Sequence, residues 1–230
     1  MKIFGLQKLT LLDFPEHTAA TVFTGGCNLR CPFCHNAPLV TGLADFECYE
    51  EDYVLDFLKK RRGVLDGLAV TGGEPLLQPD IRAFLEKVRS LGFSVKLDTN
   101  GCFPEKLKEL VKDGIVDYVA MDVKNSKEKY ALTAGKPDLD LGKIEESVEF
   151  LKAGPVPFEF RTTVVKELHE VDDIGKIGQW IRGAKRYFLQ NFVDSGDLIG
   201  TGYHPHDKAV LKEMLEKVKK DVPEAGLRGV

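Results

Sequence analysis

The stretch GGCNLRCPFC (25–34) follows a short apolar run, TAATVFT (18–24), and holds three of the chain's five cysteines. The run before it reads as a buried strand that ends at two glycines and hands over to a loop. Cys27, Cys31 and Cys34 have the spacing C-x3-C-x2-C, with no fourth cysteine at a similar interval. Thiolates suit zinc and iron–sulfur clusters. A structural zinc site closes with four ligands, and ordinary electron-carrier clusters also take four cysteines. His35 directly follows Cys34, and adjacent residues rarely fit two corners of one tetrahedron. Three thiolates in one loop therefore point to a cluster with one open iron ahead of zinc, which stays as the alternative.

The same hand-over from strand to polar loop recurs along the chain. GLAVTG (67–72), FSVKLDT (93–99), VDYVAMDV (116–123), PFEFRTTVV (157–165) and RYFLQNF (186–192) are apolar runs ending near Gly, Asn, Asp or Ser. Helical spacing lies between them, at 49–62, 79–92, 104–114, 143–154 and 172–183, and a last helix spans 207–220. PDIRAFLEKVRSLG (79–92) has Pro79 and Asp80 in its first turn and Gly92 past its end, as helix termini prefer. Alternating strands and helices predict a parallel sheet covered by helices. Six units fall short of the eight that close a barrel in about 250 residues. The fold class expected is α/β, a partial (β/α)6 TIM-like barrel open on one side. Residues 1–230 read as one domain, with a lead over 1–17, a barrel core over 18–192, and a C-terminal helix and tail over 193–230.

In such folds the loops after the strands build the site. The cysteine loop follows the first strand, and Thr71-Gly72-Gly73-Glu74-Pro75 the second. The third ends in Asp98-Thr99-Asn100-Gly101, and the fourth in Asp122-Val123-Lys124. Arg161, Thr162 and Thr163 lie on the fifth, and Gln190 and Asn191 end the sixth. Each group alone is an ordinary turn or strand-end ion pair. Their shared position on one rim is the stronger signal. Gly72 and Gly73 would let a ligand approach bare backbone, and Glu74 would accept a hydrogen bond from a ligand ammonium.

Hydrophobic content of 43%, charged content of 30% and a net charge of −4 describe an ordinary globular chain without the basic excess of a nucleic-acid binder. No apolar run is long enough to span a membrane. The first residues lack a signal-peptide pattern. The expected localisation is cytoplasmic, with neither nucleic acid nor membrane as a partner. Cys48 and Cys102 read as small apolar residues. His204 and His206 read as solvated loop residues.

Cys27-x3-Cys31-x2-Cys34, with Phe33 before the last cysteine and Thr71-Gly72-Gly73-Glu74 after it, resembles the radical S-adenosylmethionine superfamily. The likeness is closest to its glycyl-radical-enzyme activating branch. Asp98-Thr99-Asn100-Gly101 and Asp122-Val123-Lys124 resemble segments of pyruvate formate-lyase activators. The lead LTLLDFP (9–15) with FTGGCNLRCPFCHN resembles activators of anaerobic ribonucleoside-triphosphate reductase. The resemblance implies a catalytic 4Fe–4S cluster held by Cys27, Cys31 and Cys34, with S-adenosylmethionine on its open iron. It implies cofactor contacts from Phe33, Gly72, Gly73, Glu74, Asp98, Thr99, Asp122 and Lys124, together with a monovalent cation. It also implies a glycyl-radical enzyme as partner, with anaerobic ribonucleotide reductase as the candidate, and reduced flavodoxin or ferredoxin as electron donor. The chain departs from the pattern at Pro75, where pyruvate formate-lyase activators carry Ala. Only 37 residues separate Cys34 from Gly72, too few for an inserted ferredoxin-like domain, so one cluster is expected. The same motifs serve small-molecule enzymes such as 7-carboxy-7-deazaguanine synthase, and a non-catalytic iron–sulfur or zinc protein is the third reading.

Anaerobic reconstitution should load about four irons and about four sulfides per chain, and Cys31→Ala should abolish the loading. Stoichiometric zinc without acid-labile sulfide would contradict the cluster.

Overall fold

The computed structural model describes residues 1–45 and 47–229, and its frame is one eight-stranded sheet in the order β1 to β8. The strands are β1 (Gly5–Thr10), β2 (Ala19–Thr24), β3 (Gly67–Gly72), β4 (Ser94–Thr99), β5 (Tyr118–Asp122), β6 (Phe158–Val164), β7 (Tyr187–Asn191) and β8 (Ala225–Arg228). The helices are α1 (Ala37–Thr41), α2 (Glu51–Lys60), α3 (Ile81–Ser90), α4 (Pro104–Lys112), α5 (Tyr130–Thr133), α6 (Leu141–Lys152), α7 (Val171–Trp180) and α8 (Lys208–Val218). From β2 to β8 every neighbouring pair is parallel. The sheet does not close, since β1 and β8 remain its two edges. Among the described residues, no helix is long and apolar enough to cross a membrane.

The six expected units correspond to β2 through β7. The sheet is wider than that by a strand on each side. The lead forms β1, antiparallel to β2 with Gly5 opposite Phe23 and Gln7 opposite Thr21, and a bulge follows Gln7. The tail forms β8, parallel to β7 with Tyr187 opposite Ala225 and Gln190 opposite Arg228. Both were expected as lead and tail without strands. Neither segment has an apolar alternation of its own, because each takes its register from a neighbour that is already in place.

Strand residues alternate between two faces. Leu68, Val70, Val95, Leu97, Val119 and Phe160 are fully buried and pack under the helices. There they meet Phe84, Leu85 and Val88 of α3 and Ile174 and Ile177 of α7. Ile81, Phe84, Leu85 and Val88 recur at helical spacing and are the buried face of α3. Burying each such side chain contributes about 1.5–3 kcal/mol. The alternate residues face the bore, and there the chain places charge instead.

The deeper end of the bore is pinned by Glu159 of β6. Arg228 of β8 forms a two-pronged ion pair with it, at 2.6 and 2.8 Å, and Tyr118 of β5 donates to it at 2.9 Å. The Arg228 guanidinium also lies 3.6 Å from the centre of the Phe188 ring. The side chain of Glu159 is 1% exposed, so losing its partner strands a buried charge. Arg228→Ala should cost about 3 kcal/mol in urea unfolding. Adding Glu159→Gln to Arg228→Ala should recover part of that loss. Equal stability of Arg228→Ala and the wild type would show that β8 is not held this way.

Candidate active site

The loop from β2 to α1 is tied to the rest of the fold by its backbone. The Gly26 amide donates to the Leu39 carbonyl at 2.8 Å, and the Arg30 amide to that of Ala134 at 3.0 Å. This loop brings Cys27, Cys31, Cys34 and Phe33 to the wall of one cavity at the C-terminal ends of the parallel strands. The Leu29 amide donates to Cys27 Sγ at 3.4 Å, and Asn100 Nδ2 lies 3.7 Å from the same sulfur. Burial raises the Cys27 thiol overall, and the Leu29 amide works against that by favouring the thiolate. Burial pushes the Cys31 thiol up to about 12, against the pull of the Lys124 charge. The bare thiol therefore keeps its proton at neutral pH, and a bound metal would have to displace it. Among the described residues, no three His, Cys, Asp or Glu side chains are grouped to hold a single metal ion. An all-thiol donor set on one cavity wall, with an amide aimed at one sulfur, fits a cluster that spreads its ligands over several irons.

Gly72 and Gly73 lie on the same cavity wall, but the chain itself demands them. A Cβ on Gly73 would fall 1.9 Å from the Gly26 carbonyl oxygen, and one on Gly72 2.3 Å from that of Thr24. Gly72 also has φ of 117°, which side chains rarely adopt. The close approach lets the Gly73 amide donate to Thr24 O at 2.9 Å and the Glu74 amide to Gly26 O at 2.8 Å. Asn36 Nδ2 donates to Gly72 O at 2.8 Å. The glycine turn is thus fastened directly to the cysteine loop.

Glu74 stands behind this wall. It is fully buried and does not line the cavity. Its carboxylate accepts from the Leu76 amide at 3.0 Å, Thr99 Oγ1 at 2.9 Å and the Asn100 amide at 2.7 Å. It fixes the end of β4, and Asn100 then reaches Asn28 Oδ1 at 2.9 Å and Cys27.

Across the cavity floor runs a chain of alternating charge. Lys96 Nζ bonds Asp98 Oδ1. Arg161 bridges Asp98 Oδ2 at 3.1 Å and Asp122 Oδ1 at 3.0 Å. Lys124 Nζ bonds Asp122 Oδ2 at 2.8 Å. Burial opposes ionisation of Asp122, but the Lys124 and Arg161 charges outweigh it and hold the carboxyl well below the usual range. Asp98 is lowered in the same way, burial being outweighed by Arg161 and Lys96. The two aspartates stay charged, and all four of their carboxylate oxygens are occupied. Each of these oxygens already faces a cation supplied by the chain itself.

The expected residues Cys27, Cys31, Cys34, Phe33, Gly72, Gly73, Asp98, Thr99, Asp122 and Lys124 all meet at this one cavity. Arg161, assigned no role from sequence, is the hub of the charge chain. Lys96 went unnoticed, although a lysine two residues before Asp98 on a strand must share its face. Gln7 and Asp13 of the lead also line the wall, and no local signal could have found them. Gln190 faces the cavity, whereas Asn191 turns away to hold His206 through its carbonyl at 2.9 Å and its amide at 3.0 Å. His206 is half-buried and donates to His169 O at 3.0 Å, so it is not a solvated loop residue. His204 is exposed and pairs with Glu167 at 2.8 Å. His169, also unnoticed, accepts from the Val165 amide at 3.1 Å and donates to Lys124 O at 2.8 Å, with Phe33 against its ring. Cys102 is buried as expected.

Residues 21–178 match the Radical SAM superfamily. A candidate glycyl-radical enzyme activating enzyme of Methanocaldococcus jannaschii is 33% identical over 198 residues, covering 83% of this chain and 79% of that protein. A 7-carboxy-7-deazaguanine synthase of Methanopyrus kandleri is 33% identical over 130 residues, covering 48% of this chain and 51% of that protein. A domain of pyruvate-formate lyase-activating enzyme from Bacteroides vulgatus superposes with a TM-score of 0.58 at 16% identity, over 71% of this chain and 99% of that domain. The chain belongs to the Radical SAM superfamily and is an enzyme of that kind.

Burial raises the Glu74 carboxyl from 4.5 to about 7, against the donors Asn100, Leu76 and Thr99. The folded chain thus holds this proton to a higher pH than the unfolded chain. The stability it contributes is complete below pH 4.5 and is lost as pH rises through about 7, by about 3 kcal/mol in all. In urea unfolding, the stability of the wild type minus that of Glu74→Gln should fall across this window. A difference that is flat with pH would refute the buried-acid account.

Proposed function

We propose that the chain cleaves S-adenosylmethionine reductively and installs a glycyl radical on a partner enzyme. Anaerobic ribonucleoside-triphosphate reductase is the candidate partner, and reduced flavodoxin or ferredoxin the donor. The observation that carries this reading is the likeness to the Methanocaldococcus activator, which spans 79% of that protein. The likeness to the deazaguanine synthase stops at 51% of its length. The open sheet supports the same reading, because a gap between β1 and β8 suits an entering protein loop better than a small molecule, which favours an enclosed pocket.

Cys27, Cys31 and Cys34 would hold the cluster. When bound, that cluster supplies the electron that breaks the sulfonium of S-adenosylmethionine and yields a 5′-deoxyadenosyl radical. The protein's own part is orientation and exclusion of water. Phe33, Thr99 and the Gly72–Gly73 edge border the ligand. Lys124 supplies a fixed positive charge for the ligand carboxylate, held by Asp122 and by the His169 contact to its backbone. Glu74, with its oxygens taken, acts by holding Thr99 and Asn100 in place. A partner glycine would give up its α-hydrogen atom to that radical, which would leave a carbon radical on the partner and 5′-deoxyadenosine in the site. Glycine has no Cβ to hinder the approach.

Mixing the reduced protein, S-adenosylmethionine and the reductase without oxygen should give a glycyl doublet by electron paramagnetic resonance. 5′-Deoxyadenosine should form in step. If no partner gains a radical while a small metabolite drives 5′-deoxyadenosine formation, the small-molecule reading is correct.

A further inference from the structure

The resemblance implied a monovalent cation beside the ligand, yet the chain brings three cations of its own to the carboxylates of Asp98 and Asp122. Arg161 is shared between them, Lys124 closes one end and Lys96 the other. Lys96 is the unusual member. It sits inside β4 between Val95 and Leu97, its side chain is 2% exposed, and Asp98 is the one hydrogen-bond partner its ammonium has among the described residues. Burying an ammonium this deeply is costly unless its charge is needed where it stands. Without Lys96, Asp98 would keep half of an arginine and leave one oxygen unanswered. A small cation would then be drawn to that oxygen.

We propose that the Lys96 ammonium is a built-in substitute for a monovalent metal ion. It completes the neutralisation of Asp98, so that the ligand site works without sodium or potassium. Two carboxylates against three fixed cations leave one net positive charge on the cavity floor. That surplus suits a ligand carboxylate, and a further metal cation would only add repulsion. Lys96 is a positioning residue here, acting through Asp98 and Arg161. The inference rests on the reading that the cavity binds S-adenosylmethionine, but its cation dependence is measurable without that ligand.

The experiment compares the cluster-loaded wild type and Lys96→Met in potassium, sodium, ammonium or tetramethylammonium chloride at equal ionic strength. Two quantities are read, the melting temperature without ligand and the dissociation constant of S-adenosylmethionine. For the wild type, both should be unchanged between potassium and tetramethylammonium, with the constant within about twofold. Lys96→Met should bind the ligand at least about tenfold more weakly in tetramethylammonium, and potassium or ammonium should restore both binding and melting temperature. A wild type that needs potassium or sodium for either quantity overturns the proposal. So does a Lys96→Met protein that no cation restores while its cluster content matches the wild type. If Lys96→Met fails to fold, the wild-type comparison alone decides. If the wild type binds no S-adenosylmethionine in any salt, the functional reading fails, and the melting temperatures still decide the role of Lys96.

Discussion

The Lys96–Asp98–Arg161–Asp122–Lys124 chain is the constraint on which the site depends. Its members come from three adjacent parallel strands or their ends, and each ion pair crosses or runs along one of those strands. Buried charges are tolerated only when every one has a partner. Displacing any strand of the three by one residue would turn its charged groups to the helix-covered face and strand the rest. The chain therefore fixes the register of β4, β5 and β6 at the cavity, where apolar packing alone would tolerate small slips. It also presents a fixed positive charge beside the cysteines, at Lys124.

A second set of contacts ties the cysteine loop to this floor. Gly73 and Glu74 donate to carbonyls of Thr24 and Gly26, and Asn36 donates back to Gly72. Glu74 then holds Thr99 and Asn100, and Asn100 reaches Asn28 and Cys27. The cysteine loop, the glycine turn and the end of β4 thus form one hydrogen-bonded unit. This gives Gly72, Gly73 and Glu74 a physical reason to occur together that is independent of any ligand. Glycine permits the backbones to meet, and the carboxylate satisfies the donors that the meeting buries.

Much of this was legible in the sequence. The short apolar runs and the helical repeats between them pointed to six β/α units, and the rule that sites lie at strand ends gathered the cysteines, Gly72, Gly73, Asp98, Asp122 and Lys124 on one rim. Three things were hidden. β1 and β8 lack an apolar alternation because as edge strands they borrow their register. Glu74 looked like a ligand contact because sequence cannot tell which side of a turn a carboxylate faces, and here backbone donors claim it. Lys96 looked like a strand residue of no account, and Arg161, though placed on the rim, had no assigned partner, since their partners lie on neighbouring strands or two residues along. Lys96 did carry a usable sign, a lysine among apolar residues with an acid two places on.

The central proposal is that Cys27, Cys31 and Cys34 would hold a cluster and that the cavity beside Lys124 would take the methionine end of S-adenosylmethionine. Electron–nuclear double resonance on the reduced protein, with nitrogen-15 and oxygen-17 placed in the methionine portion, tests this most directly. Direct hyperfine coupling of both nuclei to the cluster is the predicted result. A reduced cluster that shows neither coupling with saturating ligand would contradict the account.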